Sequence, residues 1–192
     1  MKTLAFIKES IRNLKTVGTI TKSSVFLCRG VVKQVDFSES EVVVELGAGD
    51  GVITKHILRS MSPNSKLLAF EVNEKFCKQL ENINDPRLIV IQDSAEHLEK
   101  YLEENHLNKI DAVISAIPFV IFTEEKAHEI IETCKEHMKK KAPFVQVHYS
   151  LLARKMYRSI FGNVKTNFIP LNLPPAFVLV SRKEKETVAV TA

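Results

Sequence analysis

Two rhythms of apolar and polar positions alternate along the chain. Short runs rich in Val, Ile and Leu at 41–46, 67–72, 88–91, 111–115 and 144–148 predict buried strands. Between them, near 52–61, 73–83, 95–105 and 123–140, apolar residues recur every three or four positions, the spacing of amphipathic helices. Strands alternating with helices predict an α/β domain, a parallel sheet covered by helices on both faces. A last helix near 150–160 leads to two more strands near 164–169 and 176–181. The six residues from Pro170 to Pro175 suit a hairpin-like loop, so an antiparallel pair is expected to close one edge of the sheet. Ahead of this body, Leu4, Ile7, Ile11 and Leu14 form one apolar stripe of a helix over 1–15, flanked by Lys8, Arg12 and Lys15, with Gly18 after it. A second helix is expected to start at the hydroxyl-rich stretch 21–24, whose side chains can cap free amides, and to run to about Val35.

The length of 192 residues suits a single domain with one core. No run approaches the roughly 20 apolar residues that cross a bilayer, and charged residues interrupt the first apolar stretch, so no signal peptide is expected. The expected location is the cytoplasm. Cys28, Cys77 and Cys134 are odd in number and widely spaced. They match neither a disulfide framework nor a zinc pattern, and they are expected to be buried as small hydrophobes. No metal site is expected, and His56, His97, His106, His128 and His137 read as surface or cap residues.

Charge divides the chain. Residues 1–33 carry seven basic groups against the single acid Glu9, whereas the rest carries 20 basic and 22 acidic residues. The net charge of +4 thus originates in the N-terminal arm. The organisation expected is a basic amphipathic arm over 1–35 and a catalytic body over 36–192, forming one domain overall. The arm points to a polyanion, either an anionic membrane surface or RNA; the alternative is that its stripe packs on the core and its charges are solvated.

Chemistry concentrates where strands meet helices. Glu45-Leu-Gly47-Ala48-Gly49-Asp-Gly51 follows the first strand and precedes a helix, a place where glycines let the backbone turn tightly and a ligand approach it. Counted from Gly47, the sixth position is Val52, so the loop departs from the G-x-G-x-x-G dinucleotide pattern, and it lacks the Gly-Lys-Ser/Thr of a P-loop. Glu71 and Val72 lie at the end of the second strand, where a carboxylate can accept bonds from both hydroxyls of a ribose. Asp93-Ser94-Ala95 follows the third strand. Asp93 and an adjacent amide can read adenine, or Asp93 or Ser94 can cap the next helix, and both can hold at once.

Glu45 to Gly51, Glu71 and Asp93 resemble the first three motifs of the class I methyltransferases that use S-adenosylmethionine (SAM). The resemblance covers about residues 20–181. It implies a Rossmann-like fold with a seven-stranded, mostly parallel sheet whose last strand is antiparallel. It also implies that SAM is the cofactor, that Glu71 holds the ribose, that Asp93 meets adenine, and that Glu45 and Gly47 lie near the methionine part.

The acceptor is expected after the fourth strand, at Ser115-Ala-Ile-Pro118-Phe. Nucleobase and glutamine N-methyltransferases resemble this segment but carry Asn or Asp where Ser115 stands. The pattern looks more like the bacterial phospholipid N-methyltransferases, which methylate phosphatidylethanolamine. The stretch 17–24, the Ser115–Pro118 segment and the run from Asn172 to Phe177 carry that likeness, and the rRNA adenine dimethyltransferases are the nearest rival. A lipid substrate, with the protein peripheral at the inner face of the membrane, is therefore expected; RNA is the alternative partner, and a SAM-binding protein without catalysis a third reading. His148 and Tyr149 end the fifth strand beside this pocket. Tyr149 either offers its π face to a cationic amine or fills the core rim, and either residue, or water, could relay the amine's proton. Phe119, Phe122 and the residues between them either line an acyl-chain channel or form a buried helix entry. The lysines at 139–141 read as a solvated helix end. Loss of Glu71 is expected to weaken SAM binding with little effect on the ligand-free fold.

Overall fold

The computed structural model describes residues 23–119 and 122–184. The helix expected over 1–15 lies outside them, as do Val120 and Ile121. The first described helix, α1 (Val25–Val32), starts where Ser24 Oγ accepts the Leu27 N–H at 3.1 Å. Then follow β1 (Val42–Leu46), α2 (Val52–Ser60), β2 (Lys66–Phe70), α3 (Glu74–Glu81) and β3 (Leu88–Ile91). A 3-10 turn at Ala95–His97 leads into α4 (Leu98–Glu104), then β4 (Ala112–Ser115), α5 (Glu124–His137), β5 (Pro143–His148), α6 (Arg154–Phe161), β6 (Lys165–Ile169) and β7 (Ala176–Arg182).

The strands form one sheet in the order β3-β2-β1-β4-β5-β7-β6. Five are parallel from β3 through β5, and β7 runs antiparallel to both β5 and β6. This is the Rossmann-like architecture expected, with the hairpin of β6 and β7 at the edge. β1 lies between β2 and β4, which puts the switch in strand order, and the crevice that goes with it, at the carboxyl ends of β1 and β4.

Strand alternation sorts side chains to two buried faces. Val42, Val44, Leu46, Val113 and Phe144 point to one, where Leu98 and Leu102 of α4, Ile130, Ile131 and Cys134 of α5, and Tyr157 and Phe161 of α6 close over them. Val43, Ile114, Val145, Val147 and Val178 point to the other, covered by Leu27, Cys28 and Val31 of α1 and Ile53 and Ile57 of α2. Leu80 of α3 extends that layer over Ala48 and Ala69. α1 comes so near β6 that a Cβ on Gly30 would sit 2.7 Å from Ile169 Cδ1. All three cysteines are buried.

Some boundaries differ from expectation. β2 ends at Phe70, so Val72 belongs to the loop beyond it. α5 stops at His137 because Met138 turns extended and bridges to Ile110. Lys139 is consequently no solvated helix end: its ammonium lies 2.8 Å from Asp111 and 3.1 Å from Glu41, tying the starts of β1 and β4 together. Among the described residues no helix is long and apolar enough to cross a membrane.

Candidate functional site

Five of the predicted motifs lie at the carboxyl ends of adjacent parallel strands. In spatial order they are Asp93 after β3, Glu71 after β2, the Glu45–Gly51 loop at β1, Ser115 to Pro118 at β4, and His148 and Tyr149 at β5. Neighbouring strands are about 4.8 Å apart, so the row spans roughly 19 Å.

The glycine loop is pinned at its base, where the amides of Gly47 and Ala48 both donate to the Phe70 carbonyl, at 2.9 and 3.1 Å. Gly47, Gly49 and Gly51 all have positive φ, a conformation that L side chains rarely adopt. Gly47 has a second reason to be glycine: a Cβ there would lie 3.2 Å from the Ile117 nitrogen and 3.0 Å from its side chain. The glycine loop thus touches the Ser115–Pro118 segment at the switch point. Gly49 is the opposite case, since a Cβ on it would meet nothing within 4 Å.

Glu71 clamps this loop. One carboxylate oxygen accepts the Gly49 N–H at 2.9 Å and the other accepts the Asn73 N–H at 2.8 Å. Glu45 is fully buried, and burial pushes its carboxyl up to about 8. The Thr54 hydroxyl opposes that rise and the Glu71 carboxylate adds to it. Its Oε2 has no hydrogen-bond partner among the described residues.

Asp93 is more committed than the sequence suggests. Its Oδ1 accepts from the Ser94 amide at 2.7 Å and lies 2.9 Å from His97 Nδ1; its Oδ2 accepts the Tyr101 hydroxyl at 3.0 Å. Burial pushes the carboxyl up, but His97, the Ser94 amide and Tyr101 together outweigh it and hold it below the usual range. The N-cap itself is Ser94, whose Oγ accepts the Glu96 N–H, and Ala95 opens the buried turn behind it.

At β4, Ser115 is fully buried and its Oγ accepts the Ile117 N–H at 3.3 Å, which bends the chain into half-buried Pro118. Gln146, from β5, donates to the Ile117 carbonyl and to the Val147 carbonyl, both at 2.9 Å. Sequence reasoning missed Gln146; a polar residue inside an otherwise apolar strand was the available signal. Its Oε1 is buried without a partner among the described residues.

His148 and Tyr149 diverge, as neighbours on a strand must. His148 is buried against α6, with Nε2 3.0 Å from the Tyr157 hydroxyl. Burial lowers its pKa to about 4, so the ring is neutral at neutral pH. Tyr149 lies at the surface with 46% of its area exposed, and its hydroxyl bonds the Asn172 side chain. Burial of that hydroxyl raises its pKa, with Asn172 opposing, so it stays protonated. Asn172 is buried. Its Oδ1 accepts the Ser24 N–H at 2.9 Å and its Nδ2 donates to the Pro174 carbonyl at 2.7 Å. Among the described residues no group of three or more His, Cys, Asp or Glu is placed to hold a metal ion.

Two observations fit this row to SAM: the open side of Gly49, where a ligand can lie against backbone, and the orphaned buried oxygen of Glu45. Residues 43–141, just over half of the chain, match the family described as a methyltransferase domain. The chain belongs to this family. It is a SAM-dependent methyltransferase of the Rossmann-like class. It is similar to an ornithine lipid N-methyltransferase of Singulisphaera acidiphila, 27% identical over 185 residues that cover 95% of this chain and 96% of the relative. A ribosomal RNA small subunit methyltransferase A of Thermotoga neapolitana is 26% identical over 122 residues, covering 63% of this chain and 44% of the relative. Among solved structures, a SAM-dependent O-methyltransferase of Thermotoga maritima shares the fold at a TM-score of 0.62 and 16% identity, covering 94% of this chain and 71% of that one.

Proposed function

We propose that this methyltransferase acts on the primary amine of a membrane lipid, with a phosphatidylethanolamine-type headgroup as its substrate. The observation that carries the reading is the order of the strand-end motifs. It follows the parts of the donor from adenine (Asp93) through ribose (Glu71) to methionine (Glu45, Gly47, Ala48, Gly49) and ends at a short, neutral acceptor segment built on Ser115 and Pro118. Val72, Ser94 and Ala95 complete the cofactor wall on this reading, and Gly51 turns the chain into α2. The lipid N-methyltransferase relative, matched over nearly its full length, supports the substrate class and makes an ornithine-type headgroup the second lipid to test. The rRNA reading rests on relatives matched over less than half of their own length.

SAM supplies an activated methyl group on sulfur. The chain's residues align, hold and dehydrate the reactants, and orientation of this kind is worth roughly 7–11 kcal/mol. Gly47 sets the distance between the donor loop and the acceptor segment. Gln146 fixes the carbonyl of Ile117, and Ser115 fixes its amide, so that segment enters the reaction already ordered. The amine must lose its proton before attack. His148, held neutral by burial and engaged by Tyr157, is too weak a base to keep that proton. Tyr149 stays protonated, and its ring faces the cationic headgroup. On this reading the proton leaves to water, and His148 positions β5.

The test is methyl transfer from labelled SAM to detergent micelles containing phosphatidylethanolamine or ornithine lipid, with small-subunit rRNA in parallel. Label in the phosphatidylethanolamine fraction is expected. Label in rRNA alone overturns the lipid reading.

A further inference from the structure

Large apolar side chains stand exposed beside the acceptor end of the site. Leu151 and Leu152 follow Tyr149; Leu171 and Leu173 cap the hairpin of β6 and β7; Val25 and Phe26 open α1. Leu152 is 85% exposed, Leu173 78% and Leu171 63%. One buried side chain gathers these three segments, because Asn172 bonds Ser24, Pro174 and Tyr149. β6 runs parallel to β5, so its hairpin loop emerges at the same carboxyl rim as the site.

Basic residues flank the exposed leucines on this part of the rim. Arg154, Lys155 and Arg158 stand exposed directly after Leu152, and no Asp or Glu occurs between Glu136 and Glu184. The other six Lys and Arg of that stretch, at 139–141, 165, 182 and 183, lie at the opposite ends of β5, β6 and β7.

We propose that this rim is the docking face of the enzyme and that its occupant is the surface of an anionic lipid bilayer. Leucines with basic residues around them are the chemistry of an interfacial anchor, in which apolar side chains enter the headgroup boundary and Lys and Arg meet anionic lipid. A second copy of the chain would bring one basic face against another. RNA offers exposed leucines no surface comparable to an acyl boundary. The proposal deepens the lipid reading above and rests on it for the occupant. It adds an orientation: the acceptor end at β5 faces the membrane, while the adenine end at β3, at the far side of the sheet, stays in water, where the nucleoside can exchange without the enzyme leaving the lipid.

The full chain contains no tryptophan, so one introduced residue reports its own surroundings. Leu152→Trp is compared with Glu39→Trp, an exposed site ahead of β1 at the opposite rim. The vesicles contain phosphatidylglycerol and phosphatidylcholine and no amine lipid, which separates docking from catalysis. Emission of Leu152→Trp is expected to shift blue and to become protected from an aqueous quencher, and that of Glu39→Trp to stay unchanged. The pair Leu152→Glu and Leu171→Glu is expected to lower vesicle binding about a hundredfold, as loss of two buried leucines would, with melting temperature and SAM binding unaltered. The same double variant should still methylate micellar lipid while losing activity on vesicles. Wild-type protein that ignores the vesicles, or that binds them with Leu152→Trp emission unmoved, overturns the docking face. Absence of methylation on every amine lipid in micelles instead sinks the lipid reading, whatever the rim does.

Discussion

Replacing Glu71 with alanine tests the joint between fold and cofactor site. The side chain makes two charge-assisted bonds to backbone, at 2.9 Å to the Gly49 amide and 2.8 Å to the Asn73 amide. Hydrogen bonds to a charged group are each worth about 1.5–3 kcal/mol. Both are only partly buried, so water can reach the vacated amides, and the net loss in the ligand-free protein should be about 2–4 kcal/mol. At about 2–4 °C per kcal/mol for a domain of this size, the melting temperature should fall by roughly 4–16 °C. The sequence alone leads to the opposite expectation, little change in the free protein, because spacing shows an acid at a strand end and not the loop it clamps. SAM affinity, followed by calorimetry below the lowered melting point, should fall by roughly 10- to 150-fold. Glu71→Gln keeps one carbonyl acceptor and should lie between the two. An alanine variant that melts within a degree of wild type refutes the clamp. One that melts lower yet binds SAM normally refutes the ribose role and leaves the clamp.

Glu45→Gln removes a carboxyl whose pKa rises from 4.5 to about 8 on folding. The folded state therefore holds a proton the unfolded chain releases, and wild-type stability falls as pH rises from 4.5 to about 8. The glutamine variant should be more stable at pH 8, by up to about 4 kcal/mol, with the difference vanishing near pH 4; melting curves across that range check it. Gly47→Ala meets both a positive φ and the Ile117 backbone. It should cost about 1–3 kcal/mol in stability and lower kcat more than SAM affinity, which steady-state kinetics with calorimetry will separate. Asn172→Ala unties α1 from the hairpin, with a loss of about 2–4 kcal/mol and faster hydrogen exchange at the Ser24 amide.

Strands and helices were legible because the periods of two and 3.6 are local and the β-branched runs are uninterrupted. The motif chain from Glu45 to Asp93 was legible for the same reason, since each member sits at a fixed distance from a strand end. What the sequence hid was the pairing of side chains across elements. Asp93 reads as an adenine ligand or a cap, and only the fold brings Tyr101 and His97 against it. His148 and Tyr149 read as one pair beside a pocket, yet strand alternation sends one to Tyr157 in the core and the other to Asn172 at the rim. Lys139 reads as part of a lysine run, and a bridge at Met138 turns it toward Asp111. Asn172 belongs to the run from Asn172 to Phe177, but its role as the tie among three segments depends on a residue nearly 150 positions away.

The placement of β7 governs how the chain can assemble during synthesis. It follows every other described strand in the sequence, yet it occupies an interior lane, pairing on one side with β5 from Pro143 to His148 and on the other with β6. While the ribosome still holds residues beyond 175, β5 is the border of a five-stranded sheet and β6 has no partner in it. The nascent protein therefore keeps an open β5 edge until residues 176–182 insert, and a chain that stops before them has the glycine loop built but the sheet unclosed. A chain truncated before Ala176 and released should be protease-sensitive across residues 143–169 while residues 42–115 are protected.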